Sequence, residues 1–334
     1  MMRPLVITIV VSAALMSAAG NTGNHPTGTE GLLLIDKLGA HVRFFDPVTF
    51  KERSNLALPA NPHDFVLSAD HRLAYVPIYG DGVYGRNPNP KQEIYIIDTV
   101  ARRVAGVINV APYWAPHGIQ IDQKGLLYVT AETDRKLLVV DPKERRVVAA
   151  IDTEGTGHWI AMLPDASKMY VANKNDKPYV SVIDLKSRAI VARVPTPKGT
   201  QGIAASPDGK QVVVMDAAEP VVIVIDPATD RVVDRIPLMG QTGGGYKAYY
   251  SPNGRTLMTM AGSMVTILDP ANLRGPQRVL KAGASPMGFA FSADGNTVLV
   301  ANHGDGTVSV IDLKKTQVVE TFRAGTGIET LTYY

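Results

Sequence analysis

The sequence predicts an all-β fold, a seven-bladed β-propeller of four-stranded blades, on three observations. A run of β-formers ending in Asp recurs seven times, at Phe45-Asp46, Ile97-Asp98, Val140-Asp141, Ile183-Asp184, Ile225-Asp226, Leu268-Asp269 and Ile311-Asp312. The Asp residues lie 52, 43, 43, 42, 43 and 43 residues apart, the period of a propeller blade. A second turn motif sits between them six times rather than seven: Ser68–Asp70, Asp122–Gly125, Pro164-Asp165, Ser206-Pro-Asp-Gly209, Ser251-Pro-Asn-Gly254 and Ser292-Ala-Asp-Gly295. Helical periodicity is absent, and strand-formers run between turn signals throughout.

In chain order, residues 1–20 read as a secretory signal peptide. Arg3 precedes the apolar run Leu5–Met16, and Ser17-Ala-Ala-Gly20 offers a small-residue cleavage site. Residues 21–30 form a polar leader, and 31–334 form the propeller. Export implies a periplasmic or secreted protein with no membrane span after cleavage, expected to be a monomer. Cys is absent, which excludes disulfides, thiolate metal sites and a Cys nucleophile. The formal net charge of +3 is too small to argue by itself for nucleic-acid binding.

Each blade then reads as four short strands, such as 202–205, 211–215, 221–225 and 231–236. The run Val221–Ile225 is apolar on both faces, as suits a strand sandwiched between neighbouring blades. The repeat Asp residues are expected to accept backbone N–H bonds in the turns they open. The missing seventh turn belongs to a blade split by the termini. Residues 31–59 supply its strands two to four, and 327–334 supply strand one, so that pairing the ends removes open sheet edges.

Aligning the repeats puts one column at the start of every first strand, where it lines the channel mouth: His63, His117, His158, Gln201, Tyr246, Met287 and Ile328. The next column is Asp64, Gly118, Trp159, Gly202, Lys247, Gly288 and Glu329. Loops on the same face add Asp36, Lys37, Tyr79, Glu132, Asn173, Lys174, Asp216, Asn302 and His303. Three of the seven His fall on three consecutive blades. Imidazoles beside carboxylates suit a divalent Zn, Cu or Fe ion, so His63, His117 and His158 are the candidate metal ligands. The same groups could instead do acid–base work, or simply line a wet channel. Tyr246, Lys247, Trp159, Gln201, Glu329, Glu132 and His303 complete the expected ligand site. The long first interval places extra residues at 80–90, a loop that should overhang the three His.

The strings Tyr170-Val-Ala-Asn173, Leu299-Val-Ala-Asn302 and Tyr128-Val-Thr-Ala131, with Ser206-Pro-Asp-Gly209 and Val182-Ile-Asp184, resemble the YVTN-repeat propellers. That family includes YncE-like and lactonase-like members, and the resemblance spans about residues 31–334. It implies a seven-bladed propeller and is weak on function. Three functions follow as expectations. The first is a binding or scaffold protein for a small molecule or protein partner at the channel mouth, holding a metal ion with the three His. The second is a metal-assisted, lactonase-like hydrolase or lyase. The third is YncE-like single-stranded DNA binding through Tyr113, Trp114, Trp159, Tyr246 and Lys247. The sequence leaves open whether the protein is an enzyme.

Overall fold

A computed structural model describes residues 30–174 and 177–334, which form strands joined by turns. The expected signal peptide, most of the expected leader and His25 lie outside the described residues. Among the described residues no helix is long and apolar enough to cross a membrane.

The strands make seven antiparallel sheets arranged as propeller blades. Blade one pairs Ile328–Tyr333 with Leu32–Asp36, followed by His41–Phe45 and Glu52–Ala57. Blade two has a broken inner strand, Asn61–Pro62 and Val66–Leu67, then Leu73–Gly80, Glu93–Asp98 and Arg103–Asn109. Blades three to seven start at the inner strands Pro116–Ile121, Gly157–Met162, Thr200–Ala205, Lys247–Tyr250 and Pro286–Phe291.

Burial follows position within the blade. The second strand of blade five, Val212–Asp216, is buried at every residue, whereas its outer strand Arg231–Pro237 alternates toward solvent. A strand covered on both faces must be continuously apolar, and one covered on a single face need not be. The apolar clusters therefore lie between blades. One joins Tyr170, Val180 and Val182 of blade four to Ile203, Val214 and Ile223 of blade five. All seven repeat Asp residues accept backbone N–H bonds in the turns they open: from Val48, Val100, Lys143, Ser187, Ala228, Ala271 and Lys315 in chain order.

The ring closes as the repeat count implies, with Leu32 opposite Tyr333 and Leu34 opposite Leu331. Asp36 latches this seam. Its carboxylate accepts the N–H groups of Gly327 (2.9 Å), Thr326 (3.1 Å) and Gly39 (3.1 Å), and pairs with Arg43 Nε at 2.9 Å. Burial pushes the carboxyl up, but those hydrogen bonds win and hold it below the usual range.

The inner strands share a second irregularity, a β-bulge. Pairing slips between Pro116 and Ile119, Gly157 and Ile160, Thr200 and Ile203, Pro286 and Gly288, and Ile328 and Thr330. A bulge adds one unpaired residue and re-aims its side chains. Without it, strand alternation would send successive residues such as His158 and Trp159 to opposite faces. Blade two reaches the same end by breaking its inner strand around His63 and Asp64. Blade six has no slip within Lys247–Tyr250. There only Lys247 joins the group of large channel side chains, and Tyr246 packs against the apolar cluster of blades six and seven.

Candidate functional site

The bulges and the broken strand bring the histidine column together at one end of the channel. His63, His117 and His158 form a stack, with ring centres 4.4 Å apart for the first pair and 4.1 Å for the second. Their rings are tilted by 48° and 34°. Tyr79 packs edge-on against His63 and His117, and Trp159 edge-on against His117 and His158. The three imidazoles are only 3%, 0% and 4% exposed, so this part of the mouth is enclosed by protein. Burial drives His63 down to about 3 and holds His117 and His158 well below their ordinary value; all three are neutral at physiological pH.

What encloses them is the loop at 80–90. It folds into a small hairpin through reciprocal Val83 and Arg86 backbone bonds. Tyr84 lies edge-on to His158, with ring centres 4.9 Å apart, and donates its hydroxyl to the Thr156 carbonyl. Lys174 Nζ sits over the Tyr84 ring, 4.7 Å from its centre. Gly85 N–H donates to Glu132 Oε1 at 2.8 Å, and Tyr79 O–H donates to Glu132 Oε2 at 2.6 Å. Glu132 is therefore the anchor of a cap. Burial raises its carboxyl, and the same setting pushes the Tyr79 phenol up. A cleft of about 700 Å³ opens beside the cap between Lys37, Asn61 and His303 on one wall and Asp81, Gly82 and Arg86 on the other.

Glu329, 1% exposed, is the charged centre of the wall nearest blade one. Lys37 Nζ lies 3.8 Å, His63 Nδ1 3.6 Å and His303 Nδ1 3.1 Å from its oxygens. Burial raises this carboxyl, but Lys37, then His303 and His63, outweigh burial and hold it below the carboxylate range.

The second channel column explains how these groups fit. A Cβ on Gly118 would lie 2.5 Å from the His158 carbonyl oxygen, one on Gly202 2.5 Å from Lys247 Cα, and one on Gly288 2.7 Å from the Glu329 carbonyl oxygen. Each of these glycines lets the next blade's inner strand approach. The large side chains Trp159, Lys247 and Glu329 then occupy the space of the shortened neighbours. Lys247 Nζ reaches the face of Trp159, 2.7 Å from the ring centre. The residue is buried, and burial brings its ammonium down to about 8. Asp64 is pushed up to about 6 by burial.

The structure thus collects His63, His117, His158, His303, Glu329, Glu132, Trp159 and Lys247 at one end of the channel. Gln201 is buried on the inner strand of blade five, whereas Tyr246 belongs to an interblade core. Asn173 and Asn302 act as internal ties, donating to Ser181 and Ser309, and Asp216 caps its own turn. Trp159 and Lys247 cover each other and present no exposed stacking surface; Trp114 is exposed on a separate turn. The histidine rings lie side by side, and among the described residues no three His, Asp or Glu side chains converge as a metal-holding group. Tyr84 as a cap over His158 was not read from the sequence. The signal was its position, an aromatic residue midway along an otherwise polar and glycine-bearing insertion.

Residues 117–253 match the family model of the YncE-like beta-propeller. That stretch covers the inner strands of blades three to six, so its likeness to YncE-like propellers agrees with the seven-bladed fold. Among solved structures it is similar to the hydrazine synthase of Kuenenia stuttgartiensis, with 19% identity, a TM-score of 0.70, and coverage of 81% of this chain and 89% of that one. It is also similar to the Cps50 (Swd1) β-propeller domain of Myceliophteria thermophila, with 12% identity, a TM-score of 0.67 and the same coverage. At these identities the likeness concerns the fold alone. No curated protein sequence matches this chain.

Proposed function

We propose that this propeller is an exported binding protein that holds a small polar molecule at the channel mouth, beneath the loop at 80–90. One observation carries the reading. Both ring nitrogens of His63, both of His117 and Nδ1 of His158 are buried without a hydrogen-bond partner among the described residues. The Gly82 backbone approaches His63 without completing a bond. Each buried unsatisfied polar atom costs about 1–3 kcal/mol. Five in one place make a poor core but a good site for donors and acceptors supplied by a ligand. A neutral imidazole offers one of each, and the cleft between Lys37, His303 and Arg86 is the way in.

A second reading uses the same atoms. Neutral imidazoles are good ligands for Zn or Cu, and modest rotation of the stacked rings would aim several lone pairs at one ion. Native mass spectrometry and elemental analysis, on protein purified from the periplasm without a His-tag, separate the two. A bound organic mass that disappears in His117→Leu supports the first reading. Stoichiometric metal without an organic mass replaces it with the second. A protein carrying neither, whose imidazoles contact only water in a crystal structure, overturns both. N-terminal sequencing of the same sample tests export, with the mature chain expected to begin near Asn21.

A further inference from the structure

Lys247 is an unusual lysine. It is 5% exposed and lies against two aromatic rings, 2.7 Å from the centre of Trp159 and 5.6 Å from that of Tyr249. The other buried lysine of the mouth, Lys37, has Glu329 within 3.8 Å. Lys247 has no ion pair within 4 Å and no hydrogen bond among the described residues; Asp64 and Glu329 act on it through charge at longer range. Desolvating an ammonium costs several kcal/mol, and a cation–π contact returns about 2 kcal/mol. Were packing alone required, Met would fill the space at less expense. A desolvated amine facing aromatic rings is instead the setting that makes lysine a nucleophile toward carbonyl carbon.

We propose that Lys247 condenses with the carbonyl group of a small aldehyde or keto compound admitted to the channel mouth. This rests on the small-molecule reading above and names its substrate class. The neutral Nζ attacks the carbonyl carbon, forming a C–N bond as the π pair moves to oxygen. The proton lost by nitrogen passes through water to that oxygen. The hydroxyl takes up a second proton and leaves as water while the nitrogen lone pair closes the C=N bond, and the nitrogen then gives up its remaining proton to restore the balance. Amine plus carbonyl gives imine plus water, with no oxidant or reductant required.

The test treats the full protein at pH 7.5 with limiting formaldehyde or glyoxylate plus cyanoborohydride, which reduces an imine to a stable secondary amine. Peptide mapping then reads the rate at every lysine. The expected result is labelling of Lys247 roughly 10-fold or more faster than of any exposed lysine, since an amine titrating near 8 is far more often neutral at that pH than one near 10.4. Lys247→Arg should abolish the fast phase and leave the slow surface labelling unchanged. Tryptophan fluorescence and a thermal melt report that the variant is folded. If Lys247 reacts no faster than exposed lysines with either aldehyde, the proposal is wrong. The two readings fail separately. An inert Lys247 in a protein that co-purifies with a small molecule removes the condensation and keeps the binding site. A reactive Lys247 in a protein that carries nothing keeps the condensation and removes the imidazole-bound ligand.

Discussion

Asp36 and Glu329 are buried carboxylates of the same blade, on strands paired with each other, and they are held in opposite ways. Three backbone N–H groups and Arg43 bind Asp36. Glu329 is surrounded by Lys37, His63 and His303 side chains, the nearest of them 3.1 Å away. Backbone donors are fixed by the fold, so Asp36 is part of how the ring closes. Side-chain donors can turn toward something else, and Glu329 lies beside His63, the first of three stacked histidines with five buried nitrogens that have no partner among the described residues. The latch is satisfied where the mouth is not. A protein gains nothing in stability from such a mouth, and function is the usual reason for keeping one.

Acid should break this contrast most severely. The three stacked histidines titrate below their unfolded value, His63 at about 3. As pH falls through about 6.5 the unfolded chain takes up protons that the folded chain refuses, so stability should decline from there down to about 3. Asp36 and Glu329, also lowered on folding, add to the loss below about 4. Asp64 runs the other way, because its folded value of about 6 lies above the unfolded one and favours the fold as pH drops toward 4. Urea melts across pH 3 to 8 should show a net decline, with imidazole NMR signals that do not titrate between pH 5 and 8 (assigned signals moving in that range would mean the rings are open to water).

The next largest effect is expected at the latch. Asp36→Ala strands the Thr326 and Gly327 donors and should cost about 3 kcal/mol, visible as a lower melting temperature. An unchanged melt would show that the terminal strands close without it. His117→Leu should do the reverse, raising stability by about 1–2 kcal/mol by removing two unpaired nitrogens while losing the bound mass. Tyr84→Ala should move stability least, by less than about 1 kcal/mol, yet speed modification of His158 by diethyl pyrocarbonate. Protection equal to wild type would show that Tyr84 does not shield the stack.

The sequence carried the fold because a blade is a local object. Its turn Asp, its apolar second strand and its period are each written within about 43 residues. The three-histidine column was legible for the same reason, since a repeat alignment fixes which residues share a level. Less legible were the contacts between blades. Nothing in the repeat says that the rings would stack, that Glu132 would hold the cap, or that Lys247 would lie on Trp159. Tyr246 illustrates the limit: it shares a column with His158, but it lies just before the inner strand of blade six and its side chain packs against an interblade core.

The channel glycines have a consequence that follows from parity. Around the second column, large and absent side chains alternate: Gly118, Trp159, Gly202, Lys247, Gly288, Glu329. A ring of seven cannot alternate all the way round. Somewhere two residues of the same kind must be neighbours, and here they are the large pair Glu329 and Asp64, one on each side of the seam between blades one and two. Each acidic group makes the other harder to ionise, and the charge of Glu329 contributes to raising Asp64. An eight-bladed ring could have distributed its side chains evenly; the odd number concentrates two carboxyl groups beside His63, and the seam that geometry could not resolve is where the chemistry gathers.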